Sequence, residues 1–172
     1  MNTETGGEDA YEAMRDALAR SLASGGTIAG MAGMTEDECE ALYTLGHGLY
    51  EKGRYADALK VLAYLVALNH GEYRYVMALG AAAQALGKYE DALQQYMAAA
   101  LLEPFEPLAA LHGAQCLLEL GHHGQVLQSC DLAIAICQQG EPGARDRHGA
   151  VLERARALRA AAQARMNQRK PT

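Results

Sequence analysis

The amino-acid sequence repeats a pattern of small and apolar residues at a fixed spacing of 34 positions. Five columns of this pattern run through three repeat units: Gly46, Gly80 and Ala114; Gly53, Gly87 and Gly121; Tyr55, Tyr89 and His123; Ala58, Ala92 and Val126; Leu65, Ala99 and Ala133. A unit of this length is typical of a helix–turn–helix hairpin. Because each hairpin buries its apolar face against the next one, the pattern predicts a stack of helices with a continuous core.

The repeat length predicts an all-α fold, in which three tandem tetratricopeptide repeats form an α-solenoid. Strong helix formers such as Ala, Leu, Met, Gln and Glu are abundant, and the chain holds no Trp and one Phe. At 172 residues the chain has the size of one domain. We predict the repeats at 39–72, 73–106 and 107–140. The groove of such a stack binds extended chains rather than catalysing reactions.

The region before the repeats, 1–34, is predicted to hold a disordered polar start and a helix at about 11–23. A capping-box pattern follows it at Thr35 and Glu38. The hydroxyl and the carboxylate of such a pair each accept a hydrogen bond from a free backbone N–H. The first repeat helix is therefore predicted to begin near residue 36, and each first helix to end at the glycine of its repeat.

The region after the repeats, 141–172, differs in charge from the rest of the chain. Residues 1–140 carry 7 basic and 18 acidic side chains, a balance of −11, whereas residues 141–172 carry 8 basic and 3 acidic, a balance of +5. We predict that the repeat region, 35–140, is followed by a capping helix at about 144–168 and a basic tail. The acidic body argues against nucleic-acid binding. We expect the arginines of the tail to form a solvated helix face, to pair with the acidic body, or to contact an acidic partner or nucleic acid.

The chain has no run of about 18 apolar residues that could cross a membrane and no secretory signal at its N-terminus. We therefore expect no membrane insertion. Its cysteines are not spaced as CxxC pairs: Cys39, Cys116, Cys130 and Cys137. Their positions inside predicted helices indicate buried free thiols in a reducing cytosol.

No pattern in the sequence predicts a catalytic, cofactor or metal site. His122 and His123 are adjacent, but no carboxylate or cysteine stands nearby at ligand spacing. His47 and His112 belong to first helices of different repeats, without a serine or cysteine that could act as a nucleophile beside them. We expect neither enzymatic activity nor a cofactor.

In tetratricopeptide repeats, positions 2, 5, 9 and 12 of each first helix face the groove. Counting from residues 39, 73 and 107 predicts a peptide-binding groove formed by Tyr43, His47, Tyr50, Arg74, Met77, Ala81, Gln84, Leu108, Leu111 and Gln115. The same count also marks Glu40 and Leu118. Tyrosine offers a large contact area with a hydroxyl, and methionine adapts to varied side chains. The alternative is that some of these side chains belong to the core.

Several segments resemble the class II chaperones of type III secretion, which hold translocator proteins before export. The matching stretches are Gly25-Gly26-Thr27-Ile28-Ala29, Met34-Thr35, Leu42-Tyr43-Thr44-Leu45, Tyr50-x-x-Gly53-x-Tyr55-x-x-Ala58, Tyr89-x-x-Ala92 and Ala114-x-Cys116-Leu117-Leu118. The resemblance covers about residues 25–138. His47 and His123 depart from the residues that are usual in the family.

The resemblance implies a cytoplasmic bacterial chaperone whose groove binds a short segment of a pore-forming translocator through apolar and proline anchors. In the family, Tyr43 and Tyr50 occupy positions that line the peptide pockets. The resemblance also implies a homodimer formed by the N-terminal helical region, here Met14, Leu18, Leu22, Ile28 and Met31. The expected partners are therefore hydrophobic translocators and a second copy of the chain.

Two other functions remain open from the sequence. A general repeat scaffold that grips a C-terminal carboxylate needs a clamp of Lys, Asn and Arg, and the corresponding positions hold Tyr43, His47, Ala81, Leu108 and His112. A regulatory partnership with a transcription activator occurs in some relatives, and nothing in the sequence tests it.

Overall fold

The structure, a computed structural model, describes residues 16, 20, 26–139 and 144–168. Regular secondary structure in this part of the chain is helical, which confirms the all-α prediction. The helices are α1 (Ile28–Met31), α2 (Glu36–Glu51), α3 (Tyr55–Leu68), α4 (Tyr73–Ala85), α5 (Tyr89–Leu102), α6 (Pro107–Glu119), α7 (His123–Gln139) and α8 (Ala144–Gln168). We call α2, α4 and α6 the first helices, and α3, α5 and α7 the second helices.

The ends of the first helices follow the local signals of the sequence. At the start of α2, the Thr35 hydroxyl accepts a hydrogen bond from the Glu38 amide at 3.3 Å, and the Glu38 carboxylate accepts one from the Thr35 amide at 2.8 Å. These bonds confirm the capping box. After α2, α4 and α6 the chain passes through Gly53, Gly87 and Gly121, whose φ angles are 72°, 72° and 78°. A side chain at such a φ would strain the backbone, so the glycines end these helices as predicted.

From α2 onward the helices pack in chain order, each against the next, so that three hairpins form one stack, and α1 contacts α3. Buried residues of neighbouring hairpins join the core: Ala58 and Leu62 of the first hairpin pack with Leu79 and Ala82 of the second. Within the second hairpin, Ala83 of α4 packs with the buried side chains of Ala92 and Tyr96 of α5. This shared burial is the main source of stability in repeat folds.

The last helix, α8, covers the end of the stack. Its buried residues Val151 and Ala155 pack with Leu111 of α6 and Cys137 of α7. Ala162 joins a second cluster with residues of the same two helices. Helix α8 therefore closes the apolar face that the third hairpin would otherwise expose.

The four cysteines are free and buried, as predicted. Burial raises the pKa of the Cys116 and Cys130 thiols to about 11. They are thus neutral at physiological pH and behave as small apolar core residues.

The predicted dimer residues fall mostly outside the described part of the chain. Met14, Leu18 and Leu22 lie among residues that the structure does not describe, and Met31 is the last residue of α1. Ile28, at the start of α1, is 41% exposed. None of the helices described is long and apolar enough to cross a membrane.

Candidate peptide-binding groove

The first helices enclose a cavity of about 300 Å³. Seven residues of the predicted groove line it: Tyr43, His47, Tyr50, Arg74, Met77, Ala81 and Leu108. The lining of the cavity also includes three residues that the count of groove positions did not mark: Leu62, Tyr73 and Ala78. The cavity is therefore lined by apolar and aromatic side chains with a few polar groups, which suits an apolar anchor of an extended peptide.

The tyrosines of α2 are positioned by helical spacing and ring contacts. Tyr43, His47 and Tyr50 stand at i, i+4 and i+7, so they share one face of α2. The ring centroids of Tyr43 and Tyr75 are 5.4 Å apart, and those of Tyr50 and Tyr55 are 5.2 Å apart. Because neighbouring rings hold them, the two groove tyrosines present preorganised apolar surface to a ligand.

Arg74 lies at the rim of the cavity and is fully paired. Its guanidinium forms ion pairs with Glu40 at 2.6 Å and Glu72 at 3.0 Å, and it lies 5.4 Å from the centroid of the Tyr43 ring. The hydrogen bond from Arg74, followed by one donated by Tyr75 at 2.9 Å, lowers the pKa of the Glu40 carboxyl. Arg74 therefore orients the Tyr43 ring and carries no uncompensated charge into the cavity.

Tyr73 contributes a buried hydroxyl for which the described residues offer no hydrogen-bond partner. Burial, and then the charges of Glu106 and Glu103, raise its pKa to about 12. The hydroxyl is therefore neutral at physiological pH and keeps its proton. Sequence counting missed Tyr73 because it is the first residue of α4, outside the marked positions.

The other three predicted groove residues do not line the cavity. Gln84 and Gln115 lie beside it in a polar chain: the Tyr96 hydroxyl donates to the Gln84 amide oxygen at 2.8 Å, and the Gln84 amide nitrogen donates to the Gln115 amide oxygen at 3.5 Å. His112 Nδ1 lies 3.1 Å from the same Gln115 oxygen, which favours the tautomer protonated at Nδ1.

Leu111 is a core residue, and its prediction as a groove residue is wrong. It is 0% exposed and packs with Val151 and Ala155 of α8. The predicted position faces the groove only where no further helix covers it. In the third repeat, α8 covers that face.

A second cleft, of about 400 Å³, lies on the other side of Arg74. It is more polar than the first, and it is lined by Thr27, Ala29, Gly30, Met34, Thr35, Glu36, Cys39, Glu40, Asn69, Glu72, Arg74 and Tyr75. The segment before α2 thus forms one wall of this cleft. The ion pairs of Arg74 separate it from the apolar cavity.

Within the described residues, no group of three or more His, Cys, Asp or Glu side chains could hold a metal ion. His123 is buried at the start of α7 and faces Leu118 and Glu119 across a cleft. The groove offers apolar contact area, ring faces and a small number of hydrogen-bonding groups.

No protein-family model matches the chain. Among curated proteins, it is 37% identical over 121 residues to the low calcium response locus protein H of Yersinia pestis, a match that covers 70% of each chain. The corresponding protein of Yersinia pseudotuberculosis matches equally well.

Solved structures agree with this similarity. The chain superposes on a component of a type III secretion complex from Aeromonas hydrophila with a TM-score of 0.80 and 30% identity, over 88% of this chain and 98% of that one. For PcrH in complex with the chaperone binding region of PopD, the TM-score is 0.71, the identity is 38%, and 78% and 97% of the two chains are covered. For the Yersinia enterocolitica chaperone SycD with a peptide of the translocator YopD, the TM-score is 0.69 and the identity is 30%. The match covers 77% of this chain and 97% of that one.

Proposed function

The chain belongs to the family of type III secretion translocator chaperones, and on that basis we propose that its groove binds a segment of a translocator and keeps that protein soluble until export. The observation that carries the proposal is the apolar cavity between the first helices, walled by Tyr43, Tyr50 and Met77. Translocators insert into membranes, so they carry apolar surface that aggregates when it is exposed to water. A chaperone that holds such a segment prevents this aggregation.

The cavity favours an extended peptide with an apolar anchor over a terminal carboxylate. A carboxylate clamp needs an uncompensated cation, and the arginine at this rim is neutralised by Glu40 and Glu72. A general scaffold for acidic C-termini is therefore disfavoured.

The experiment is co-expression of the chain with a translocator encoded beside it. We expect the translocator to be soluble and to co-purify with the chain, and to form inclusion bodies without it. The variant with Tyr43→Ala and Tyr50→Ala should lose this protection, whereas Tyr64→Ala should keep it. Tyr64 is the matched control because it is a 55% exposed tyrosine of α3 that does not line the cavity. A translocator that is equally soluble without the chain would contradict the proposal.

We also propose a cytoplasmic location and self-association through the N-terminal region. Free, buried thiols support a reducing compartment. The exposed side chain of Ile28 supports a contact near α1. We expect Leu18→Asp with Leu22→Asp to lower the mass in solution measured by light scattering, while the affinity for the translocator segment stays unchanged. An unaltered mass would exclude this region as the dimer contact.

A further inference from the structure

The described arginines of α8 fall into two groups. Arg156 pairs with Glu153 at 2.9 Å, and Arg159 pairs with Asp131 of α7 at 2.6 Å. Arg154 and Arg165 have no carboxylate within ion-pair distance in the described part of the chain. The arginines on one edge of α8 are therefore paired within the chain, whereas those on the other edge have no ion-pair partner among the described residues.

The two unpaired arginines share an edge of α8 that faces α6. Arg154 and Arg165 are eleven residues apart, which corresponds to three helical turns and places them on one stripe. Leu158, between them on that stripe, packs against the core residues of α6. Arg165 lines a cleft of about 380 Å³ with Leu118 and Glu119 of α6. The stripe thus follows the first helix of the third repeat.

Arg154 lies near His112 of α6. Burial lowers the pKa of His112, the hydrogen bond with Gln115 opposes that shift, and the charge of Arg154 lowers the pKa further. Packing agrees with this position, because Val151, one turn before Arg154, contacts the same core cluster as Leu111, one residue before His112. Arg154 therefore stands at the edge of the third repeat.

Leu108 connects the apolar cavity to the core cluster beside this basic edge. Leu108 lines the cavity and also packs against the cluster that holds Val151 and Ala155. Beyond Leu108, the surface of α6 presents His112 and then Gln115, which is linked to the second repeat through Gln84. A peptide that leaves the cavity along α6 passes from apolar side chains to amides, and then to two arginines.

The opposite end of the groove has the reverse charge. The start of α2 carries Glu36 and Asp37, followed by Glu38 of the capping box and by Glu40, which is paired with Arg74. A segment lying along all three first helices therefore meets an acidic end and a basic end. Such a charge gradient selects the direction of a charged peptide and speeds its association.

We propose that the α8 edge with Arg154 and Arg165 forms a second part of the groove and binds acidic side chains of the same extended translocator segment that fills the cavity. This inference rests on the proposed function of the groove. Arginine suits the role because its planar guanidinium donates two parallel hydrogen bonds to a carboxylate. The acidic residues stand in the part of the segment that follows α6, so they set its direction as well as its affinity.

The test uses a fluorescent peptide of the chaperone binding region of PopD in four versions. Three aspartates, or three asparagines as the uncharged control, are added at its N-terminal or its C-terminal end. At low salt we expect aspartates at one end to tighten binding by about three- to tenfold over asparagines, which is the range for one or two exposed ion pairs. The gain should disappear at high salt, where exposed charges are screened.

The variant with Arg154→Gln and Arg165→Gln should remove the gain from aspartates and leave binding of the asparagine peptides unchanged. The variant with Arg156→Gln and Arg159→Gln is the matched control: it changes the net charge equally but removes the paired arginines, so the gain should persist. An equal loss in both variants would reduce the effect to net charge and overturn the inference. So would the absence of any gain at either end.

Two further outcomes separate this inference from the proposed function. If all four peptides bind, and binding depends on Tyr43 and Tyr50 but not on the aspartates, the groove stands and the basic edge is excluded. If no peptide binds, both proposals are contradicted. A fall in the mass in solution of the variant with Arg154→Gln and Arg165→Gln would assign the edge to a contact between copies and overturn its role in peptide binding.

Discussion

The first two repeats and the third repeat use the same positions for different purposes. Tyr43, Met77 and Leu111 occupy one column of the 34-residue pattern. Tyr43 and Met77 line the cavity, whereas Leu111 is buried beneath α8. The comparison teaches that a groove position is defined by what packs next to the repeat as well as by its place within the repeat.

The helix contacts within the repeats show a second difference. Gly46 and Gly80 each face a large side chain of the second helix: a Cβ at Gly46 would lie 2.8 Å from Leu62, and one at Gly80 would lie 2.8 Å from the Tyr96 ring. In the third repeat the same column holds Ala114, which shares a cluster with the smaller Cys130. A glycine on the first helix therefore accompanies a large side chain on the second helix. Where the first helix holds alanine instead, the second helix holds a smaller residue.

The largest expected effect separates Leu111 from the other members of its column. Leu111→Ala should lower the free energy of unfolding by about 2–5 kcal/mol, because it leaves a cavity between α6 and α8. Tyr43→Ala, at the equivalent groove position, should cost less stability because its side chain is already partly exposed. Chemical denaturation of both variants measures the difference. Similar losses in the two variants would show that α8 does not distinguish the repeats.

Peptide binding should show the opposite order. Tyr43→Ala and Tyr50→Ala should each weaken binding of a translocator segment by about 1–3 kcal/mol, the range for aromatic side chains at the centre of an interface. Titration of a fluorescent peptide measures the affinity, and circular dichroism checks that helicity is retained. Tyr64→Ala is the control. If the double variant bound like the parent, the binding site would lie elsewhere.

The contact between Gly80 and Tyr96 predicts whether a substitution of this glycine stabilises or destabilises the fold. Gly80→Ala should destabilise the fold by about 1–2 kcal/mol, because the buried Tyr96 ring, held by its bond to Gln84, cannot move aside. Gly48→Ala is the control within another first helix. A Cβ there meets no atom within 4 Å, so the substitution should stabilise α2 by about 0.5–1 kcal/mol. Thermal unfolding measures both, and a stabilising Gly80→Ala would show that the hairpin has room to adjust.

The smallest expected effect is a pH dependence that belongs to the third repeat. Burial, with the added charge of Arg154, lowers the pKa of His112 in the folded chain from its ordinary value of 6.5. The unfolded chain therefore takes up a proton first, and stability is lost as the pH falls from 6.5 towards the lowered value. The lowered carboxyl pKa values of Glu40 and Asp57 act only further into acid, below about 4.5.

His112→Gln should therefore reduce the loss of stability between pH 7.5 and pH 5.5. Denaturant unfolding at the two pH values measures this loss for the parent and the variant. His70→Gln, at an exposed histidine between α3 and α4, is the control and should retain the loss seen in the parent. An identical pH dependence in the parent and His112→Gln would exclude this histidine as its source.

Most of the fold was predictable because its signals are local. The capping box at Thr35 and Glu38 and the glycines after the first helices depend on residues within one or two turns. The lining of the cavity was predictable where the repeat geometry decides exposure, as at Tyr43 and Met77. It was not predictable at Tyr73, which lines the cavity because of the way that α4 packs on its neighbours.

By itself, the sequence determined the number of hairpins and the helix ends, because these follow from spacing and from short-range hydrogen bonds. It indicated the family through the resemblance of several short segments. Only the tertiary structure decided that α8 covers Leu111, and that Arg156 and Arg159 are paired while Arg154 and Arg165 have no ion-pair partner among the described residues. The physical reason is that burial and ion pairing depend on which surfaces meet. Residues such as Asp131 and Arg159, 28 positions apart in the chain, become partners only after α7 and α8 have packed.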